Sequence, residues 1–224
     1  MNRHLQSVVQ HPHFFKFSAT HGSVPRDAIV QLLHVLFNLH PANTCQVSHI
    51  EPLVRIYRGT LSPSDGQLLS VFRLFEMQRK SSVTSLLARW SPSANQVSST
   101  SLEAIQSLDP ILVLRTCLNF PRWRRLEDPL TGMASGHDTL LYDPVFLILL
   151  FTHALVNDPP SSAFSWVELF RTNIVSLLLK ALSSKCVGIR DVALCQIAVL
   201  WQHLQVSVSH MRDAITDIRR IAVC

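Results

Sequence analysis

Four arginines and one tryptophan carry the clearest chemical signal in this chain. Arg115, Arg122, Arg124 and Arg125 fall within eleven residues of one another, and Trp123 lies among them in "RTCLNFPRWRR". A guanidinium stays charged at any physiological pH and can form paired hydrogen bonds to phosphate oxygens, while an exposed indole can stack on an unpaired base. The cluster therefore fits contact with single-stranded nucleic acid or an acidic partner. It also fits the rim of a helical core, with Trp123 packed inward and the arginines paired with Glu127 and Asp128 or solvated. A second basic group, Arg212, Arg219 and Arg220, is interleaved with Asp213 and Asp217 and reads as intrahelical ion pairs. The net charge of +5 and the pI near 9.2 favour contact with phosphates or acidic surfaces without specifying which.

Other chemistry is sparse. The six glycines, at 22, 59, 66, 132, 136 and 188, can spell neither a dinucleotide-binding nor a phosphate-binding loop. There is no G-x-S-x-G and no H-E-x-x-H. Of the eleven histidines, His11 and His13 in "HPH" come nearest to a metal pair, but no further ligands recur at zinc spacing. The cysteines, Cys45, Cys117, Cys186, Cys195 and Cys224, contain no C-x-x-C pair and read as reduced, mostly buried thiols of an intracellular protein. The expectation is a protein with no catalytic residues, metal, cofactor or small-molecule substrate. An enzyme of another kind would need a cleft where Cys and His, or two carboxylates, converge.

The elements that position the cluster read as helices. "LSPSD" places Ser62 as an N-cap, Pro63 at the first helical position and Asp65 where a capping-box acid would sit. Asp109–Pro110 and Asp143–Pro144 repeat the device, since an aspartate accepts from free N–H groups at a helix start and proline needs none there. Ile29, Leu32, Leu33, Leu36 and Phe37 share one helical face. Leu68, Leu69, Phe72, Leu74 and Phe75 share a second. Ile174, Leu177, Leu178, Ala181 and Leu182 share a third, on a helix expected to begin near Trp166. Ile189, Ala193, Ile197, Leu200 and Leu204 form a fourth. The thirteen apolar-rich residues of "PVFLILLFTHALV" fall short of the roughly 20 that a membrane span needs, so they are expected in the core. His34 and His153 are expected as core or rim residues.

No period-two alternation or hairpin turn interrupts this pattern, and the predicted fold is all-α. One domain over residues 1–224 is expected, with a Ser-rich loop at 91–101 and a second loop at 127–139. A helix that ends in a small polar turn and resumes with Ile189, Arg190 and Ala193 is similar to the second helix of a HEAT or armadillo-type repeat. Such an α-solenoid accounts for 47% hydrophobic and only 16% charged residues, because each helix pair is covered by its neighbours.

Four blocks in order, "YRGTLSPSDGQLLSVFRLFE" (57–76), "LDPILVLRTCLNFPRWRRLE" (108–127), "LYDPVFLILLF" (141–151) and "LLLKALSSKCVGIRDVAL" (177–194), resemble the C-terminal region of the nucleolar pre-ribosomal-associated protein 1 family. The likeness covers residues 4 to 204 and rests on the ordered set. It implies a non-catalytic scaffold of helical repeats in the nucleolus of the nucleus, acting in early large-subunit (60S) assembly and rRNA maturation. Implied partners are pre-rRNA and other assembly factors, an RNA helicase among them. The alternative is a helical-repeat protein-interaction module without nucleic-acid contact. The helical pattern is still running at Cys224, so an incomplete segment of a longer array is expected, with an apolar face left open. Its isolated form is then expected to self-associate, a result that a monodisperse monomer in size-exclusion chromatography with light scattering would overturn.

Overall fold

A computed structural model of the chain describes residues 2–19, 23–79, 90–91, 98–126 and 141–221, with the side chains of the last helix described as far as Val206. The described residues form twelve helices: α1 Asn2–Val9, α2 Phe14–Ala19, α3 Val24–Leu39, α4 Pro41–Thr44, α5 Val47–Ile56, α6 Pro63–Arg79, α7 Ser101–Gln106, α8 Pro110–Leu118, α9 Pro144–Asn157, α10 Ala163–Arg171, α11 Ile174–Ala181 and α12 Val187–Ile221. Among these residues there is no strand, only an isolated antiparallel bridge between Thr60 and Tyr142. The all-α expectation holds. The 127–139 loop, the middle of the 91–101 loop and the side chains of Arg212, Asp213, Asp217, Arg219 and Arg220 lie outside the described residues.

The predicted helix starts form for the predicted reasons. Asp109 accepts from the N–H groups of Ile111 and Leu112 at 2.9 and 3.3 Å, and Asp143 accepts from Val145 N at 3.0 Å. Ser62 Oγ accepts from Asp65 N at 3.3 Å. Caps of this kind stabilise a helix by about 1 kcal/mol each. Asp65 itself does not close a capping box on Ser62. Its carboxylate turns toward the preceding loop, for a reason given below.

Two expectations about helix faces change. On α3 the buried positions are Arg26, Val30, Leu33 and Phe37, while Leu32 is exposed and Ile29 and Leu36 are half-buried. The helix expected to run from Trp166 to Leu182 is two helices. Asn173 adopts a left-handed conformation at φ 63°, which ends α10 and opens α11 in a new direction. Asparagine tolerates this region better than most residues, and its Nδ2 donates to Pro110 O at 3.1 Å, tying the corner to α8.

Packing falls into two groups. In the first, α3 lies along α6, and α1, α2, α4 and α5 close around them. Phe37 meets Phe75 there with ring centroids 5.3 Å apart. In the second, α9 is central and packs against α7, α11 and α12, while α8 and α10 pack on α11. The apolar run of α9 is core as expected, with residues 144–148, Leu150, Phe151, Ala154 and Leu155 buried. Among the described residues no helix is long and apolar enough to cross a membrane.

The groups meet along the segments 57–62 and 141–146. Leu61 N donates to Leu141 O at 2.9 Å, and Asp143 N donates to Gly59 O at 2.7 Å. Phe146 meets the rings of Tyr57 and Trp90 edge to face at 5.1 and 4.9 Å, and Trp90 Nε1 donates to Tyr57 O at 2.8 Å. On the outer side of α12, Val187, Leu194 and Trp201 form an exposed stripe at seven-residue spacing.

Candidate nucleic-acid interface

The residues singled out in "RTCLNFPRWRR" divide sharply. Arg124 is only 4% exposed. Its Nε and Nη2 donate to Asp143 Oδ1 and Oδ2 at 3.1 and 2.9 Å, and Nη1 donates to the Arg125 carbonyl. This two-point pairing uses the guanidinium fork that a phosphate would need. The expectation that Arg124 contacts RNA or a partner is therefore corrected: it is a buried structural cation. The cause is the turn in which Arg124 N donates to Pro121 O at 2.9 Å and carries the side chain beneath the loop.

Arg115, Arg122 and Arg125 are exposed, and Trp123 is 46% exposed, so the indole does not pack inward. Phe120, Pro121 and Arg124 anchor the loop in its place. The loop rests on the turn between α11 and α12, where Lys185 N donates to Arg122 O at 3.0 Å. That contact adds Lys185, an exposed cation, to Arg122, Trp123 and Arg125. Arg190 Nη1 donates to Ser184 O at 2.7 Å within the same turn. Arg115 stands apart on the last turn of α8, where no described contact brings its side chain to the loop.

The electrostatics of this corner favour anions. The thiol of Cys186, just before α12, is held below its ordinary value by hydrogen bonds involving the Leu126, Ile189 and Gly188 backbone and by the charge of Arg125. Gly188 and Ile189 lie in the first turn of α12, where the helix dipole acts in the same sense as the surrounding cations. Cys117 behaves oppositely: burial pushes it up to about 11, although Lys180 pulls it down. Cys45 and Cys117 are buried, Cys186 is half-buried and Cys195 is exposed, so the reading of mostly buried thiols holds for the first two.

Beneath the surface lies a polar seam that sequence reasoning missed. Arg26 Nη2 donates to Asp65 Oδ1 at 2.6 Å, and both side chains are fully buried. Asp65 also accepts from Thr60 N at 2.9 Å, Thr60 Oγ1 at 2.5 Å and Arg58 N at 3.3 Å, which is why it leaves the capping box open. Arg58 is buried nearby, its proton affinity lowered by burial and by Arg26. Tyr57 lies between the two ion pairs. Burial pushes its hydroxyl well up, and the charges of Asp143 and Asp65 push the same way. Asp143 is likewise pushed up by burial, against the pull of Arg124. The blocks "YRGTLSPSD", "PRWRR" and "LYDP" thus meet in one place. Among the described residues no group of three potential metal ligands occurs.

No protein-family model and no solved structure matches the chain. Two curated proteins do. Nucleolar pre-ribosomal-associated protein 1 of Mus musculus is 27% identical over 83% of this chain, and the protein of the same name from Homo sapiens is 28% identical over 80% of it. The chain spans about 9% of the length of each. These likenesses support the family that the four ordered blocks suggest: over some four fifths of its length, the chain is similar to a segment of nucleolar pre-ribosomal-associated protein 1.

Proposed function

We propose that the chain is a non-catalytic scaffold of stacked helical repeats that acts in early large-subunit ribosome assembly and rRNA maturation in the nucleolus. Its helices build a scaffold, and the corner formed by Arg122, Trp123, Arg125 and Lys185 meets pre-rRNA, with Arg115 on α8 a separate exposed cation that contacts the same RNA or a partner. Other assembly factors, an RNA helicase among them, would join it on the same particle. The observation that carries the RNA contact is the exposed Trp123 set between Arg122 and Arg125, with Lys185 brought against them by the Arg122 carbonyl. Such a surface offers a stacking platform and several phosphate contacts together. The similarity to two proteins named for pre-ribosomes supports the setting.

Salt dependence tests the contact. Each phosphate neutralised on a single strand contributes about −0.7 to the slope of log affinity against log salt. Replacing Arg122, Arg125 and Lys185 together by alanine is expected to flatten that slope by about 2, on the basis of three phosphates lost. Stability is expected to stay within about 0.5 kcal/mol of the parent, because all three side chains are exposed. An unchanged slope would favour the rival reading, a protein-interaction module whose contacts are apolar, for which the stripe of Val187, Leu194 and Trp201 is the exposed candidate.

A further inference from the structure

A cleft of about 320 Å³ opens between α1, α2 and α5, on the helical group that does not carry the basic corner. Its volume falls in the range of small-ligand sites, about 300–1,000 Å³. Gln6 of α1 and Gln10, in the turn just after it, line the cleft, and Ser48, His49, Glu51 and Arg55 line it from α5. The Arg55 guanidinium carbon lies 3.9 Å from the centroid of the Phe15 ring, another wall of the cleft. His49 is only 5% exposed yet lines the space. Its Nδ1 is 2.8 Å from Thr44 O. A carbonyl only accepts, so Nδ1 carries a proton, and in the neutral imidazole Nε2 is then the acceptor. No protein hydrogen bond to that nitrogen exists among the described residues.

These walls specify the chemistry of an occupant. The charges of Glu51 and Arg55 cancel, which disfavours a phosphate as the group held inside. Two amides, a hydroxyl and an unused imidazole acceptor call for a neutral group with both donors and acceptors on its edge. A guanidinium set against an aromatic ring offers a flat surface to stack on, and both groups are common platforms for bases. We infer that this cleft binds a single unpaired nucleobase of an RNA strand, with Gln6, Gln10 and His49 Nε2 reading the base edge and the Arg55–Phe15 pair supplying the stacking surface. The inference rests on the reading that the chain meets RNA, and it adds a second contact point, independent of the basic corner.

The test uses the full chain and a single-stranded RNA oligomer, with affinity measured across a salt series. The double variant Gln6→Ala/Gln10→Ala and the single variant Arg55→Lys are expected to bind about five- to a hundredfold more weakly, the range for losing one base contact. Their salt slope is expected to match the parent's, because no phosphate contact is removed. An oligomer of the same length made wholly of abasic units is expected to bind the parent more weakly and to abolish the difference between parent and variants. Both glutamines are exposed, so the double variant keeps its fold. Unchanged affinity in both variants, or equal binding of intact and abasic oligomers, overturns the proposal and leaves the cleft to a peptide side chain. If only the basic-corner variant binds more weakly, the RNA reading survives without the cleft. If only the cleft variants weaken binding, the reverse holds.

Discussion

Replacing Asp65 by alanine is expected to lower the free energy of unfolding by about 3–5 kcal/mol, the usual cost of leaving a buried charge without its partner. Arg26 would be that charge: it is fully buried, its Nη2 lies 2.6 Å from Asp65 Oδ1, and its other acceptor is Ile56 O at 3.3 Å. The Nε and Nη1 atoms of Arg26 have no hydrogen-bond partner, and the other carboxylate near it, the exposed Asp27, lies 3.9 Å from Nη1, too far for a hydrogen bond to replace that of Asp65. The same substitution strands the Thr60 and Arg58 amides, which reach Asp65 at 2.9 and 3.3 Å. Asp65→Asn removes the charge and keeps one acceptor oxygen, for Thr60 N, while its NH2 replaces the oxygen that accepts from Arg26, so it should fall between alanine and the parent. Urea unfolding is the measurement. At about 3 kcal/mol per M, the alanine variant's midpoint drops by more than about 1 M. Because the pair is out of solvent, the loss should persist in 1 M salt, where surface charge effects are screened within about 3 Å. A loss under 1 kcal/mol, or one erased by salt, would mean the pair contributes no more than a surface contact.

The same physics explains what could be read from the sequence. The caps at Asp109 and Asp143 were legible because cap and helix are neighbours along the chain. The role of Arg124 was not, because its acceptor Asp143 lies 19 residues further along the chain, and in sequence Arg124 is indistinguishable from the exposed Arg122 and Arg125 beside it. Arg26 was equally hidden, since Asp65 is on another helix. It also explains the rotated face of α3. The run "AIVQLLHVLF" is apolar on most of its circumference, so periodicity alone leaves the buried face open, and the pairing of Arg26 with α6 decides it. The break at Asn173 had a local signal, an Asn ending "RTN", but the apolar pattern on both sides of it continued at helical spacing. Lys185 had no local signal. It joins the candidate surface only because its amide meets the Arg122 carbonyl.

Gly59→Ala is the second substitution with a large expected cost, and it probes the junction of the two helical groups through packing instead of charge. Gly59 has φ +69°, where an L side chain costs roughly 1–2 kcal/mol. A Cβ there would lie 2.5 and 2.6 Å from Cδ1 and Cε1 of Phe146 and 3.5 Å from Cζ2 of Trp90. Phe146 cannot simply swing away, because Tyr57 and Trp90 hold it edge to face on two sides. Overpacking of this kind costs about 1–3 kcal/mol, for a total of about 2–5 kcal/mol. The two parts separate in a double-mutant cycle with Phe146→Leu. The shorter side chain removes the clash and leaves the backbone penalty, so the pair should be less destabilised than the sum of the single changes by about 1–3 kcal/mol. Strict additivity would show that the ring is free to move and that the left-handed backbone alone demands glycine. The coupling matters beyond stability, because Gly59 O accepts from Asp143 N at 2.7 Å and Asp143 in turn holds Arg124 beneath the basic loop. A shift at Gly59 should therefore weaken the RNA contact proposed for Arg122 and Arg125 without touching either residue, and an affinity unaltered by Gly59→Ala would separate the junction from the surface.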